Sequence, residues 1–171
     1  MSLVAAGLVL GCALKHPIKS VKQATGHPPT LVLQVNLAAD ANGNSVVPFD
    51  VVLMRDKSMQ KAISQMDAAT WFGSKGRCNY RGGPKVKVEF HSWEFVPGQT
   101  YRLDIVAETG TRAVLGFANY SNTGDHRVSF VTSGSQFVDL GDDGVHILKN
   151  VPVPNSSQAP AQEMQKVCPD D

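Results

Sequence analysis

The feature that most limits what this chain can fold into is a series of short runs in which every second residue is apolar, each closed by Gly, Pro, Asn or Asp. Leu31, Leu33, Val35 and Leu37 alternate with Val32, Gln34 and Asn36. A period of two sends alternate side chains to opposite faces of a strand, whereas a helix needs apolar residues three and four apart. The folded part therefore starts near Thr30. Phe49, Val51 and Leu53 alternate with Asp50, Val52 and Met54 up to Arg55, and Val86, Val88 and Phe90 alternate with Lys85, Lys87 and Glu89. The lysines mark the wet face of that strand. Val96-Pro97-Gly98-Gln99 is a turn signal that leads into Tyr101, Leu103 and Ile105, so the strands on either side of it are expected to pair or lie side by side. Ala113 to Tyr120 is apolar without alternation, the pattern of a strand covered on both faces. Further strands are predicted at Arg127 to Thr132, Gln136 to Leu140 and Val145 to Lys149, separated by Ser133-Gly134 and Gly141-Asp142-Asp143-Gly144.

Only one segment has helical spacing. Met59, Ala62, Ile63 and Met66 follow the i, i+3, i+4, i+7 rule, which predicts one amphipathic helix from about Lys57 to Phe72, capped by Asp56 or Ser58 and stopped by Gly73 and Gly76. Its stripe of Met, Ile and Trp71 reads as core. About eight short strands with one helix give an all-β fold, a β-sandwich with an added helix. The 171 residues suit one domain, and 42% hydrophobic residues, 18% charged residues and a net charge of +1 argue against disorder and against a nucleic-acid partner.

Residues 1–11 are uncharged and rich in Val, Leu, Ala and Gly, too short to span a bilayer but suited to the apolar core of a signal peptide. The basic segment expected ahead of such a core is missing, which reads either as a shortened start or as a cloning-derived Met1-Ser2-Leu3. Val9-Leu10-Gly11-Cys12 resembles a lipobox, in which cleavage leaves an acylated N-terminal cysteine, here Cys12. Ala13 is not an acidic inner-membrane retention signal, so the resemblance implies outer-membrane delivery. Residues 12–29, with Lys15, Lys19, Lys22, Pro28 and Pro29, read as a tether, residues 30–150 as the sandwich, and residues 151–171 as a Pro- and Gln-containing extension. With Cys12 set aside, Cys78 and Cys168 remain as an even pair in an oxidising compartment. A disulfide is the favoured assignment and two free thiols the alternative; a metal or catalytic thiol ranks last, since there is no Cys-x-x-Cys and neither cysteine has a His close by in sequence.

Motifs for phosphate binding, serine hydrolysis and zinc proteolysis are absent, and no enzymatic activity or cofactor is expected. Asp139, Asp142, Asp143 and His146 could gather around a cation, but Gly-Asp-Asp-Gly is ordinary turn chemistry, so no metal is assigned. Arg77 with Arg81, and Lys85 with Lys87, fall short of a basic stripe and read as solvated faces. Trp71 and Trp93 read as packing residues before sugar-stacking platforms.

The order of elements resembles the outer-membrane lipoprotein family TssJ of type VI secretion. The likeness rests on Val35-Asn36-Leu37 to Asp40, Asn42-Gly43, Pro48 leading into Phe49 to Arg55, the helix ending in Trp71-Phe72, Val96-Pro97-Gly98-Gln99, and the region Arg112 to Arg127. It implies a transthyretin-like β-sandwich that anchors a trans-envelope complex at the periplasmic face of the outer membrane, gripping the periplasmic domain of the inner-membrane protein TssM. The resemblance makes the loop Ala38 to Pro48 the principal contact, with Asp40, Asn42, Gly43, Asn44 and Val46 facing the partner. Substituting Asp40 and Asn42 is then expected to weaken binding without lowering stability. The alternative is a periplasmic ligand- or carbohydrate-binding lipoprotein using Trp93 or the acidic turn; a lipid-anchored hydrolase would need a clustered triad.

Overall fold

The computed structural model describes residues 28–74, 76–80, 88–149, 159–160, 164 and 168. The segments expected to be a signal peptide, a tether and a C-terminal extension, with Cys12, lie wholly or mostly outside the described residues, as do Arg81, Lys85 and Lys87. Strand β1 (Thr30–Leu37) buries Leu31, Leu33, Val35 and Leu37, as the alternation requires. It pairs antiparallel with β4 (Thr100–Val106) and parallel with β7 (Gly134–Leu140). Strand β8 (Val145–Leu148) continues the sheet past β7, and the two-residue β9 (Ala159–Pro160) lies on the outer side of β4. The second sheet has the order β3 (Val88–Phe95), β2 (Val47–Met54), β5 (Ala113–Ala118), β6 (Arg127–Phe130). The molecule is an all-β sandwich.

Each face of the second sheet has its own core. Phe49, Val51 and Leu53 point between the sheets toward Leu33, Val35, Leu103 and Leu140. Val52 and Met54 point outward into a second cluster with Ile63, Ala68, Trp71, Leu115 and Phe117. Trp71 stacks on Phe117 with ring centroids 5.0 Å apart and meets Phe90 edge-on at 5.7 Å. Strand β2 is thus buried on both faces, because the helical segment covers its far side. Apolar surface removed from water at ~25 cal/mol per Å² makes that cover a major stabilising layer.

Two expectations are corrected here. The predicted single helix is broken into α2 (Lys57–Ile63) and α3 (Ala68–Phe72). Asp56 caps the first by accepting from the amides of Ser58 and Met59, and Asp67 starts a second helix by accepting from Thr70 N at 2.7 Å. The carbonyls freed at the break are taken by Arg127, whose Nη1 donates to Ser64 O and Met66 O at 2.6 Å each. The strands flanking Val96-Pro97-Gly98-Gln99 do not pair either. Strand β3 takes its ladder from β2 and β4 takes its ladder from β1, so the turn crosses from one sheet to the other. Leu37 N donates to Gln99 O and Gly98 N to Ala38 O, which ties the crossing to the end of β1.

Candidate functional site

Four connections meet at one end of the sandwich: residues 38–46 between β1 and β2, 96–99, 119–126 between β5 and β6, and 141–144 between β7 and β8. The first contains a single turn, α1 (Ala41–Asn44), in which Asn42, Gly43 and Asn44 have φ of 51°, 62° and 60°. Three successive left-handed residues are tolerated here because Gly has no Cβ and Asn is the side chain that best accepts this region. The sequence Asn42-Gly43-Asn44 thus encodes the turn directly.

Within this loop Asp40, Gly43, Asn44 and Val46 are exposed, and Val46 presents an apolar side chain that is 49% accessible. Asn42 is different. It is buried, its Nδ2 donates to Val46 O at 3.0 Å, and its Oδ1 accepts from Ser121 N at 2.7 Å. Its amide is spent inside the protein, spanning the loop and fastening it to the connection after β5, so the expectation that it faces a partner is corrected. Val96, 50% exposed, continues the β2–β3 register one step beyond Val47 opposite Phe95, which sets it across from Val46. The sequence offered a signal for this valine, an apolar residue ahead of Pro-Gly with no partner in the alternation.

The acidic turn beside the loop is a braced hairpin. Tyr120 donates its hydroxyl proton toward the carbonyls of Gly141 and Gly144, 2.9 and 3.1 Å away, and its ring stacks on His126. Burial, followed by the charges of Asp139, Asp143 and Asp142, pushes the Tyr120 phenol far above the usual tyrosine range, so it remains a donor. Asp143 pairs with His146 at 3.0 Å, and that hydrogen bond holds its carboxyl below the ordinary value. Asp139 turns away to accept from Asn36 at 2.8 Å. Among the described residues no group of three or more His, Cys, Asp or Glu side chains converges as a metal site would require. Trp93 is buried, stacked between His91 and Phe95, so it offers no platform for a sugar ring.

Sequence reasoning missed a second polar cluster on the opposite face of β2. Asp50 is fully buried; it accepts from Trp71 Nε1 at 2.8 Å and from Arg77 Nη1 at 3.2 Å, and Ser92 stands directly opposite on β3. Burial raises its carboxyl above the ordinary value against the opposing pull of Ser92, Arg77 and Trp71. Arg77 also covers the Phe72 ring at 4.9 Å, so it is a packing residue and not part of a solvated basic face. The cluster fixes the 3-10 turn Arg77–Tyr80, where Cys78 joins Cys168 with their Cα atoms 5.6 Å apart.

No family model and no curated protein matches the sequence. Solved structures do. Lip of Serratia marcescens, described as a membrane-bound component of the type VI secretion system, aligns with TM-score 0.56 and 16% identity over 72% of this chain and 100% of its own. The type VI secretion lipoprotein TssJ1 of Pseudomonas aeruginosa aligns with TM-score 0.53 and 16% identity over 73% of this chain and 99% of its own. The chain has the fold of these lipoproteins. A chain in the structure of the TssM C-terminal domain from EAEC aligns with TM-score 0.54 and 12% identity over 71% of this chain and 99% of its own. The sandwich alone therefore does not separate a lipoprotein from other components of that system.

Proposed function

We propose that this chain is an outer-membrane lipoprotein of a type VI secretion membrane complex, acylated on Cys12 and facing the periplasm. Its role is that of a non-catalytic scaffold, which binds the periplasmic domain of a TssM-like inner-membrane protein through Asp40, Gly43, Asn44 and Val46. The observation that carries this reading is the likeness in fold over 99 to 100% of two type VI secretion lipoproteins, in a chain that places Cys12 directly behind an apolar segment. Acyl chains contribute roughly 0.8 kcal/mol per buried CH₂, so a multiply acylated Cys12 would be held on the membrane almost permanently. The rigid sandwich then presents its loop end to the partner. Asn42 has a positioning role in this scheme: it holds the loop in one conformation, so little entropy is lost when the partner docks. A bond between Cys78 and Cys168 fits an exported chain.

Two measurements test the proposal. Cys12→Ser should leave the membrane fraction while keeping its fold; a variant that still sedimented with outer membranes would reject the anchor. Asp40→Lys combined with Val46→Asp, in the intact chain, should weaken binding to the TssM periplasmic domain at least about tenfold by calorimetry, the loss of one interface anchor of roughly 1.4 kcal/mol. Both side chains are exposed, so melting should be unchanged. Wild-type affinity in that variant rejects the loop as the contact.

A further inference from the structure

The strands on one side of the sandwich are the outermost members of their sheets: β3 in the four-stranded sheet, and β4 but for the two residues of β9. Open edges present unpaired amides and carbonyls to any other extended chain. Here both are met by the same C-terminal segment. Ala159 and Pro160 pair in parallel with Tyr101 and Arg102 of β4, Met164 N donates to Ser92 O of β3 at 2.8 Å, and Cys168 is buried against Cys78. The contacts thus step from one sheet to the other and end on a covalent attachment, which the ion pair of half-buried Arg77 with buried Asp50 fixes to the body of the fold.

Strand β4, which Ala159 and Pro160 meet at Tyr101 and Arg102, is complementary to itself. An antiparallel pairing of two copies centred on Leu103 sets Arg102 of each opposite Asp104 of the other, and Tyr101 opposite Ile105 on the inward face. Opposite charges directly across an antiparallel pair are favourable, as are aromatic with β-branched pairs. In the single chain Arg102 and Asp104 satisfy one another along the strand at 2.8 Å, exposed and ready to exchange partners.

We propose that the segment carrying Ala159, Met164 and Cys168 is an edge cap, secured through Cys78, that prevents β4 of this chain from pairing with β4 of a second copy. The cap is a β-augmentation made by the chain on itself, in which main-chain hydrogen bonds occupy the edge and the cysteine pair keeps the local concentration high. It operates whatever partner the loop end takes.

The test compares the full wild-type chain with Cys78→Ser/Cys168→Ser by sedimentation velocity over a wide concentration range, with amide exchange read at Tyr101 to Val106. The uncapped variant should shift from monomer to dimer as concentration rises, and at low concentration should lose protection in β4. Adding Asp104→Arg, which sets like charges across the copied strand, should return it to monomer. The same measurements on wild-type chain reduced and alkylated in its native state give a second route to the uncapped form. A folded, monomeric uncapped chain with β4 still protected overturns the proposal, and so does a dimer indifferent to Asp104→Arg. Loss of near-ultraviolet ellipticity in both uncapped forms overturns it too, because the cysteine pair would then hold the sandwich itself.

Discussion

Asn42→Ala removes two hydrogen bonds and leaves a Cβ-bearing residue without an Asn amide at φ 51°. Ser121 N and Val46 O lose their partner, each worth about 1 kcal/mol net when solvent can partly replace it. Holding alanine in the left-handed region costs about 1 kcal/mol more. The sum is about 2–3 kcal/mol, the range of a lost internal brace and far above the ±0.5 kcal/mol of an ordinary surface change. At roughly 2–4 °C per kcal/mol for a chain of this size, melting should fall by about 4–12 °C. Two companions divide the effect. Asn42→Gly loses the hydrogen bonds but not the conformational freedom, and should recover about 1 kcal/mol relative to alanine. Asn42→Asp keeps the acceptor for Ser121 N and should be the mildest of the three. Urea denaturation followed by tryptophan fluorescence measures all of them. If Asn42→Ala unfolds within about 0.5 kcal/mol of wild type, or glycine is no better than alanine, the argument that Asn42 is an internal brace fails. The expectation that Asn42 can be replaced at no cost in stability is the opposite outcome, so the experiment separates the two directly.

Asp50 gives a prediction in pH. Its folded carboxyl titrates above the unfolded value of 3.8, so the stability linked to its proton is fully present below that pH and is lost as pH rises through the raised value. The stability of wild type relative to Asp50→Asn should therefore fall as pH increases from 3.8 upward, measured by chemical denaturation across that window; a flat difference would refute the burial argument. Asp50→Ala should be much worse than Asp50→Asn at neutral pH, by about 2 kcal/mol or more, because both variants remove the counter-charge of Arg77 but only alanine leaves Trp71 Nε1 and Arg77 Nη1 with no side-chain oxygen to donate to. Gly76→Ala should destabilise by about 1–3 kcal/mol, since a Cβ there would fall 1.9 Å from Trp71 O and force the backbone to move; thermal melting within a degree of wild type would show that the turn yields freely.

Much of the scaffold is legible in the sequence because strand alternation and turn chemistry are local. Leu31, Leu33, Val35 and Leu37 declare a buried face whatever surrounds them, and Asn42-Gly43-Asn44 declares a left-handed turn. The unalternating run from Ala113 likewise forms a strand buried on both faces. At the candidate site the loop was legible, but the direction of its side chains was not. Asn42 has the composition of an exposed turn residue, and its inward orientation depends on Ser121, which lies 79 positions away in the chain.

What the sequence by itself determined was the set of strands, their inward faces and the turns between them, since each depends on residues within a few positions. Only the tertiary structure decided which strand accepts which ladder, because a period of two marks a face and not a neighbour. That is why β3 and β4, joined by a short turn, separate into different sheets. The helix broke for a similar reason: Arg127 arrives from another strand to satisfy the carbonyls at Ser64 and Met66. Burial of Asp50 is tolerable because Trp71 and Arg77 meet it across 21 and 27 positions, with Ser92 opposite on β3. Long-range partners of this kind turn a list of strands into a braced loop end and a capped edge, and no local pattern encodes them.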